Sequence, residues 1–371
     1  MSALDGVDPE TRELLERYGF DSARFEELRG RVASGALSPA SNAVAGEVEP
    51  PREGDVDIVP SPGAPAYAEA RAAGLDALRR GRVASVVLAG GMATRFGGMV
   101  KGVVEAHAGR SFLSWKLGET ARLAVGLGVE IPTALMTSFS TDEETRAHVR
   151  GLDVPEPIWF SQSVSLRLER DGSMFLDAGG SPSPYAPGHG DLVDALRDSG
   201  TVAALRKRGV DVVCVSNVDN LGARLDPVVI GAHLLGGAAM TCEVARKEGD
   251  MGGAPARVEG RLVLLETPRF PPGFDHDRIT VFNTNTATID LRVFDDRHDL
   301  SWLYVEKKVD GRAAVQLERL YHELASFVPA GFLEVPRSGP RGRFLPIKTP
   351  VDLERSQPLL AELLAASPLD G

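Results

Sequence analysis

Residues 86–101 read VVLAGGMATRFGGMVK: a β-branched run, then a turn of small residues holding one arginine, Arg95, and one lysine, Lys101. A glycine-rich turn behind a strand lets backbone N–H groups approach an anion, because no Cβ stands in the way. The two cations add charge that the amides lack. Phosphate or polyphosphate binding is the chemistry this supports, with a plain tight connection as the alternative. The stretch matches neither the GxGxxG dinucleotide fingerprint nor the GxxxxGK[ST] phosphate loop.

Other stretches hold chemistry-bearing residues. In PYAPGHGD (184–191), His189 stands between glycines before a helix for which Asp191 is the expected N-cap. Exposed backbone and a ring edge suit a flat ligand; an ordinary loop is the competing reading. In VVCVSNVDNLGA (212–223), Asn217, Asp219 and Asn220 follow an apolar strand. A carboxylate there can hold Mg²⁺ with one protein ligand while water and phosphates complete the shell. An Asx turn is the alternative. In RSGPRGRFLPIKT (337–349), Arg337, Arg341 and Arg343 cluster, and Lys348 follows the apolar FLPI as if emerging from packed structure. Charge runs more often form a solvated face. His107, His148, His233, His276, His298 and His322 lack partners at metal-ligand spacing and read as structural or surface residues.

Strands are expected at 83–88, 131–138, 157–162, 211–217, 239–246, 261–266 and 279–284, each an apolar or β-branched run. Helices are expected at 66–80, 112–126, 141–150, 191–208, 226–235 and 316–327. Alternation of this kind predicts a mostly parallel sheet with helices on both faces, whose ligands bind beyond the carboxyl ends of the strands. Residues 8–34 read as helical, with Asp8 as cap and Pro9 in the first turn. Residues 38–65, rich in Pro, Gly and Ser, read as an extended connection.

The chain has 371 residues, 43% of them hydrophobic, enough for one large α/β domain with an accessory piece or for two domains. A net charge of −11 argues against a nucleic-acid surface, and no run is apolar enough to span a membrane. The early acidic residues and the missing apolar segment predict no secretory signal. Cys214 and Cys242 exclude a disulfide framework and a multi-cysteine zinc site, and a reducing cytoplasm fits them.

Taken together, LAGGMATRFGGMVKG (88–102), FSQS (160–163), PGHGDL (187–192), SNVDNLGA (216–223), FNTNT (282–286) and QLE…RFLPIKT (316–349) resemble, in order, the UTP–glucose-1-phosphate uridylyltransferase family. The resemblance implies an α/β nucleotidyltransferase fold, Rossmann-like or GT-A, with a mixed, mostly parallel sheet flanked by helices. It implies a catalytic domain over 81–371, preceded by a helical extension and linker over 1–80. It also implies Mg²⁺-dependent transfer of a uridylyl group from UTP to a sugar 1-phosphate, most simply glucose 1-phosphate. N-acetylglucosamine or galactose 1-phosphate as acceptor, or a non-catalytic nucleotide-sugar-binding module, remain open alternatives.

Carried onto this chain, the family pattern assigns Leu88, Ala89, Gly90 and Gly91 to the nucleotide cradle, with Lys101 at the triphosphate; Lys101, Lys348 and Arg95 are the candidate catalytic residues. Gln162 and the Gly188–His189 pair read and flank the uracil. Asn217 touches ribose or sugar, Asp219 holds Mg²⁺, Asn283 and Asn285 bind the hexose, and Lys348 meets the phosphates of the sugar phosphate and of UTP. Ala93 stands where the family has a second loop glycine, which implies a negative φ there. Val100 stands for the proline before the loop lysine, which leaves the aim of Lys101 open. No C-terminal β-helix domain is expected after the Lys348 motif.

Overall fold

A computed structural model of the chain describes residues 7–93, 96–345, 347–367 and 369. The central sheet takes its strands in chain order from Asp57–Ile58 (β1), Val83–Leu88 (β2), Thr133–Thr137 (β3), Ile158–Ser161 (β4), Val212–Asn217 (β5), Met240–Arg246 (β6), Val281–Asp290 (β7) and Ala330–Glu334 (β8). Across the sheet they run β1-β8-β6-β7-β5-β2-β3-β4. β7 is antiparallel to both of its neighbours; every other pairing is parallel. Every residue of β2 is buried, as a parallel strand covered on both faces requires. Thus β5, β2, β3 and β4 lie side by side with their carboxyl ends on one edge, and the loops leaving them converge there.

Local chemistry accounts for most of the elements. The Asp8 side chain accepts from Thr11 N at 2.9 Å and Pro9 occupies the first turn of helix Pro9–Arg17. Gly19 and Phe20 separate that helix from Ser22–Ala33, so residues 8–34 form two helices. Phe25, Leu28 and Val32 of the second helix pack on Val164, Leu166 and Leu168, the segment that follows β4.

Three expectations need correction. Residues 38–65 are not merely a connection: Val48–Glu49 pairs with Arg257–Val258, and β1 forms an edge of the central sheet. Short strands flanked by Pro and Gly carry too few residues to show a period. The single helix expected at 191–208 is two, Leu192–Asp198 and Thr201–Lys207, because Gly200 turns left-handed at φ +79° between them. The helix expected at 316–327 is a strand followed by a 3-10 segment. Leu303–Val309 and Arg312–Glu318 form a hairpin, and Tyr321–Ser326 is the 3-10 segment. Asp310 and Gly311, at φ +49° and +80°, make its two-residue turn. That Asp-Gly pair between alternating runs was the available signal.

Candidate active site

The glycine turn leaves β2 with its carbonyls already engaged. Leu88 O accepts from Val218 N at 3.0 Å, Gly90 O from Ser138 Oγ at 2.8 Å, and Gly91 O from Lys101 N at 3.3 Å. Among the described residues, no hydrogen bond engages the N–H of Gly90 or Gly91. A Cβ at position 90 would lie 2.2 Å from Gln162 Nε2, so any larger residue there must displace the glutamine amide. The Gln162 side chain, 7% exposed, therefore lies directly on the cradle.

After the turn, Met92–Ala93 pairs with Met99–Val100 and returns the chain to Lys101. Val100 has φ −65°, the angle a proline would impose, and is buried. Lys101 thus leaves the hairpin along a proline-like path and its ammonium meets the Asp219 carboxylate. Arg95 lies outside the described residues.

Gly188 and Gly190 are pressed against the backbone of Arg319, where a Cβ on Gly190 would come within 2.3 Å. His189 between them accepts at Nδ1 from Tyr321 N (3.3 Å), which leaves the proton on Nε2. Burial pushes its pKa down to about 4, so the ring is neutral. Asp191 precedes the next helix without capping it. Its carboxylate instead accepts from Ser163 N and pairs with Arg319, both at 2.5 Å. A buried charge gains more from two charge-assisted bonds than from one cap. The result joins the Gln162 segment to the His189 segment. A cleft of about 620 Å³ opens beside Gln162 and Ser163, walled on its far side by Tyr18, Arg24 and Phe25 of the N-terminal helices.

Opposite, β7 carries a bulge. Its register with β6 shifts between Glu243 and Val244, leaving Thr284 and Asn285 without opposing residues. Asn285 takes φ +58°, which asparagine tolerates better than most residues. Its amide donates to Asn217 Oδ1 at 2.8 Å, and Asn283 donates to Glu266 Oε1 at 3.1 Å. Tyr321 OH donates to Asn285 O, so this residue touches both the His189 and the asparagine sides. Burial raises the Glu266 carboxyl to about 7. His322, fully buried, lies 3.9 Å from Glu266 and stacks edge-on to His189. Glu266 and His322 escaped the sequence reading: LETP has no recognisable pattern, and a lone His beside Tyr321 looks like core.

The arginines of 337–343 do not form the solvated face expected of a charge run. Arg343 is buried and bidentate to Glu243 (2.5 and 2.7 Å), Arg337 pairs with Asp250, and Arg341 stacks on Tyr67. Lys348 is different. Ile347 is fully buried in the cluster containing Val218 and Leu221, while Lys348 is exposed and its ammonium forms no ion pair among the described residues. No group of three or more His, Cys, Asp or Glu among the described residues is placed to hold a metal. Such an edge, with a glycine turn, a lysine–aspartate pair, a buried amide and a rim of asparagines, can hold a phosphorylated, hydroxyl-rich ligand.

The family model described as UTP–glucose-1-phosphate uridylyltransferase matches residues 58–365. The chain belongs to that family. Relatives bearing the same description include those of Musa acuminata and Hordeum vulgare. The first is 32% identical over 292 residues, covering 73% of this chain and 62% of the relative. The second is 30% identical over 377 residues, covering 95% and 76%. A Dictyostelium discoideum relative is 29% identical and is covered over 57% of its length. The chain thus spans about three fifths of several curated relatives it matches. Among solved structures, the uridine diphosphate N-acetylglucosamine pyrophosphorylase of Trypanosoma brucei superposes with TM-score 0.76 at 20% identity, over 95% of this chain and 80% of that one. The UDP-glucose phosphorylase of the same organism gives 0.73 at 23% identity, over 94% and 75%. These likenesses establish the α/β nucleotidyltransferase fold. The match begins at residue 58, so the family's region includes β1 and helix Pro65–Arg79 as well as residues 81 onward.

Proposed function

We propose that the protein transfers the uridylyl group of UTP to a sugar 1-phosphate, glucose 1-phosphate being the acceptor that the family description favours. The observation that carries this reading is the Lys101–Asp219 pair beside the open Gly90–Gly91 turn, at the joined carboxyl ends of β2 and β5. Asp219 suits magnesium, which keeps several waters and takes phosphate oxygens beyond one or two protein carboxylates. A many-carboxylate cage is not needed. Bound there, the ion would offset charge on the nucleotide phosphates.

In this reading Leu88, Ala89, Gly90 and Gly91 cradle the nucleotide and Lys101 faces its triphosphate. Gln162 presents donor and acceptor to uracil, with Gly188 and neutral His189 as the wall. Asn217, Asn283, Asn285 and Glu266 line the hexose pocket, and Lys348 meets the converging phosphates. An oxygen of the sugar 1-phosphate attacks the α-phosphorus in line while the bond to pyrophosphate breaks. The attacking oxygen is already anionic, so no general base is required. The chain's work is to align two mutually repelling anions and to stabilise the charge that develops between them. No helix among the described residues is long and apolar enough to cross a membrane. The free thiols Cys214 and Cys242, both kept protonated by burial, accord with a reducing cytoplasmic setting.

Incubation with UTP, Mg²⁺ and glucose, galactose or N-acetylglucosamine 1-phosphate, followed by pyrophosphate release, tests the reading. Release led by glucose 1-phosphate supports it. Absence of pyrophosphate release with all three acceptors overturns it in favour of a non-catalytic binding module.

A further inference from the structure

The loop that carries Asp219 leaves β5 after Asn217, one residue beyond Ser216, and is complete by Ala223. One buried ammonium grips both ends. Lys116, on helix Phe112–Leu127, donates from Nζ to Ser216 Oγ at 3.0 Å and to Ala223 O at 2.6 Å. The residue is 6% exposed. It lines a small cavity of about 30 Å³ with Glu119, Cys214, Arg224 and Arg343, room for one water to accept its third N–H.

A buried lysine is costly to desolvate, and an apolar side chain of similar volume would fill this space more cheaply. Burial lowers its pKa to about 7 against the favourable charges of Glu119, Asp219 and Glu243, with Arg343 adding to the lowering. Packing alone does not account for such a residue. What no apolar side chain can do is join residues 216 and 223. The far side of the same loop is also tied, since Asn220 donates to Arg343 O at 3.0 Å and accepts from Leu345 N at 3.2 Å. Those bonds link the loop to the segment that ends at Lys348. A loop pinned at both feet and at one shoulder has little freedom left at Asp219.

We propose that Lys116 is a positioning residue: by tying Ser216 to Ala223 it fixes the path of the loop and hence the direction of the Asp219 carboxylate. The kinetic consequence rests on the role assigned to Asp219 above; the mechanical one does not.

The test uses the full chain with Lys116→Met, which keeps the volume, and Lys116→Gln, which keeps donor hydrogens on a side chain one bond shorter. Amide hydrogen exchange over 218–222 should quicken about tenfold or more in Lys116→Met while exchange in β2, β3 and β5 stays as in the parent. In turnover, kcat should fall about tenfold with the KM for UTP within about threefold, since Asp219 acts where charge develops. Lys116→Gln should recover part of both. Unchanged loop exchange overturns the proposal. So does faster exchange spread through the sheet with no recovery in Lys116→Gln, the signature of a merely structural lysine. If the parent itself releases no pyrophosphate, the proposed function fails separately, and loop exchange still decides whether Lys116 holds the loop.

Discussion

Asn285 reaches across from the antiparallel strand to donate its amide to Asn217 Oδ1 at 2.8 Å, and it does so from a left-handed backbone at φ +58°. The bulge that produces this φ turns Asn283 and Asn285 toward the edge where Asn217 ends β5. Backbone shape and side-chain chemistry can therefore be separated at one position. Asn285→Gly keeps the φ and removes the amide; Asn285→Ala removes both. Alanine should lose about 1–2 kcal/mol more stability than glycine in denaturant melts, the cost of a left-handed Cβ. Both should raise the KM for the sugar 1-phosphate. Equal melts for the two variants would remove the backbone argument.

Asp219→Asn should cut kcat by about two orders of magnitude or more, because it removes the charge proposed to hold the metal at the phosphates. The fold should survive, since Asp219 is part-exposed and its partner Lys101 can then turn to solvent. Chelation of divalent ions should abolish turnover in the parent. Near-parent kcat for Asp219→Asn at saturating Mg²⁺ would exclude this role.

At Lys348 the exposed ammonium has no ion pair among the described residues, so Lys348→Ala should leave the thermal midpoint unchanged. Its proposed place is where phosphate charges converge, and kcat should fall by about tenfold or more. A rise confined to KM would mean that it contributes only uniform binding.

Gln162 lies on Gly90, so the amide proposed to read the base and the turn proposed to cradle the phosphates are in direct contact. Gln162→Ala should narrow the kcat/KM preference for UTP over CTP by about tenfold, within the 1–3 kcal/mol that an unpaired buried polar group costs. The sugar-phosphate KM should move less. Gly90→Ala, by pushing on Gln162 Nε2, should weaken UTP binding in the same direction. An unchanged UTP/CTP ratio in Gln162→Ala would take this residue out of the site.

Glu266 makes a pH prediction. Its folded pKa is raised from the ordinary 4.5 to about 7 by burial. Between those values the unfolded chain has released a proton that the folded chain retains, so stability falls as pH rises through the window and levels off above it. The full effect of this one group is on the order of 3 kcal/mol. Denaturant melts at pH 5 and pH 8 should show that loss in the parent and a smaller one in Glu266→Gln. Equal differences in the two proteins would mean that the carboxyl titrates normally.

Chain-local chemistry was readable directly. A β-branched run before a glycine turn, an Asp-Pro helix start, and an apolar strand ending in Asn-Val-Asp-Asn each owe their form to neighbours in sequence, and β2, helix Pro9–Arg17 and β5 lie where those signals put them. The ordered motifs likewise singled out Gln162, His189, Asp219 and Asn285 as candidates before any contact was known. Contacts between distant segments were not readable, because periodicity carries no information on which strand becomes the neighbour of another. Only the folded sheet sets Lys101 against Asp219, 118 residues away, and Gln162 against Gly90. It alone spends Arg343 on Glu243, turns Asp191 from a cap into a bridge to Ser163 and Arg319, and brings Glu266 to Asn283. A charge in sequence is a donor or acceptor without an address; burial forces it to find a partner, and the tertiary packing alone determines which partner is within reach.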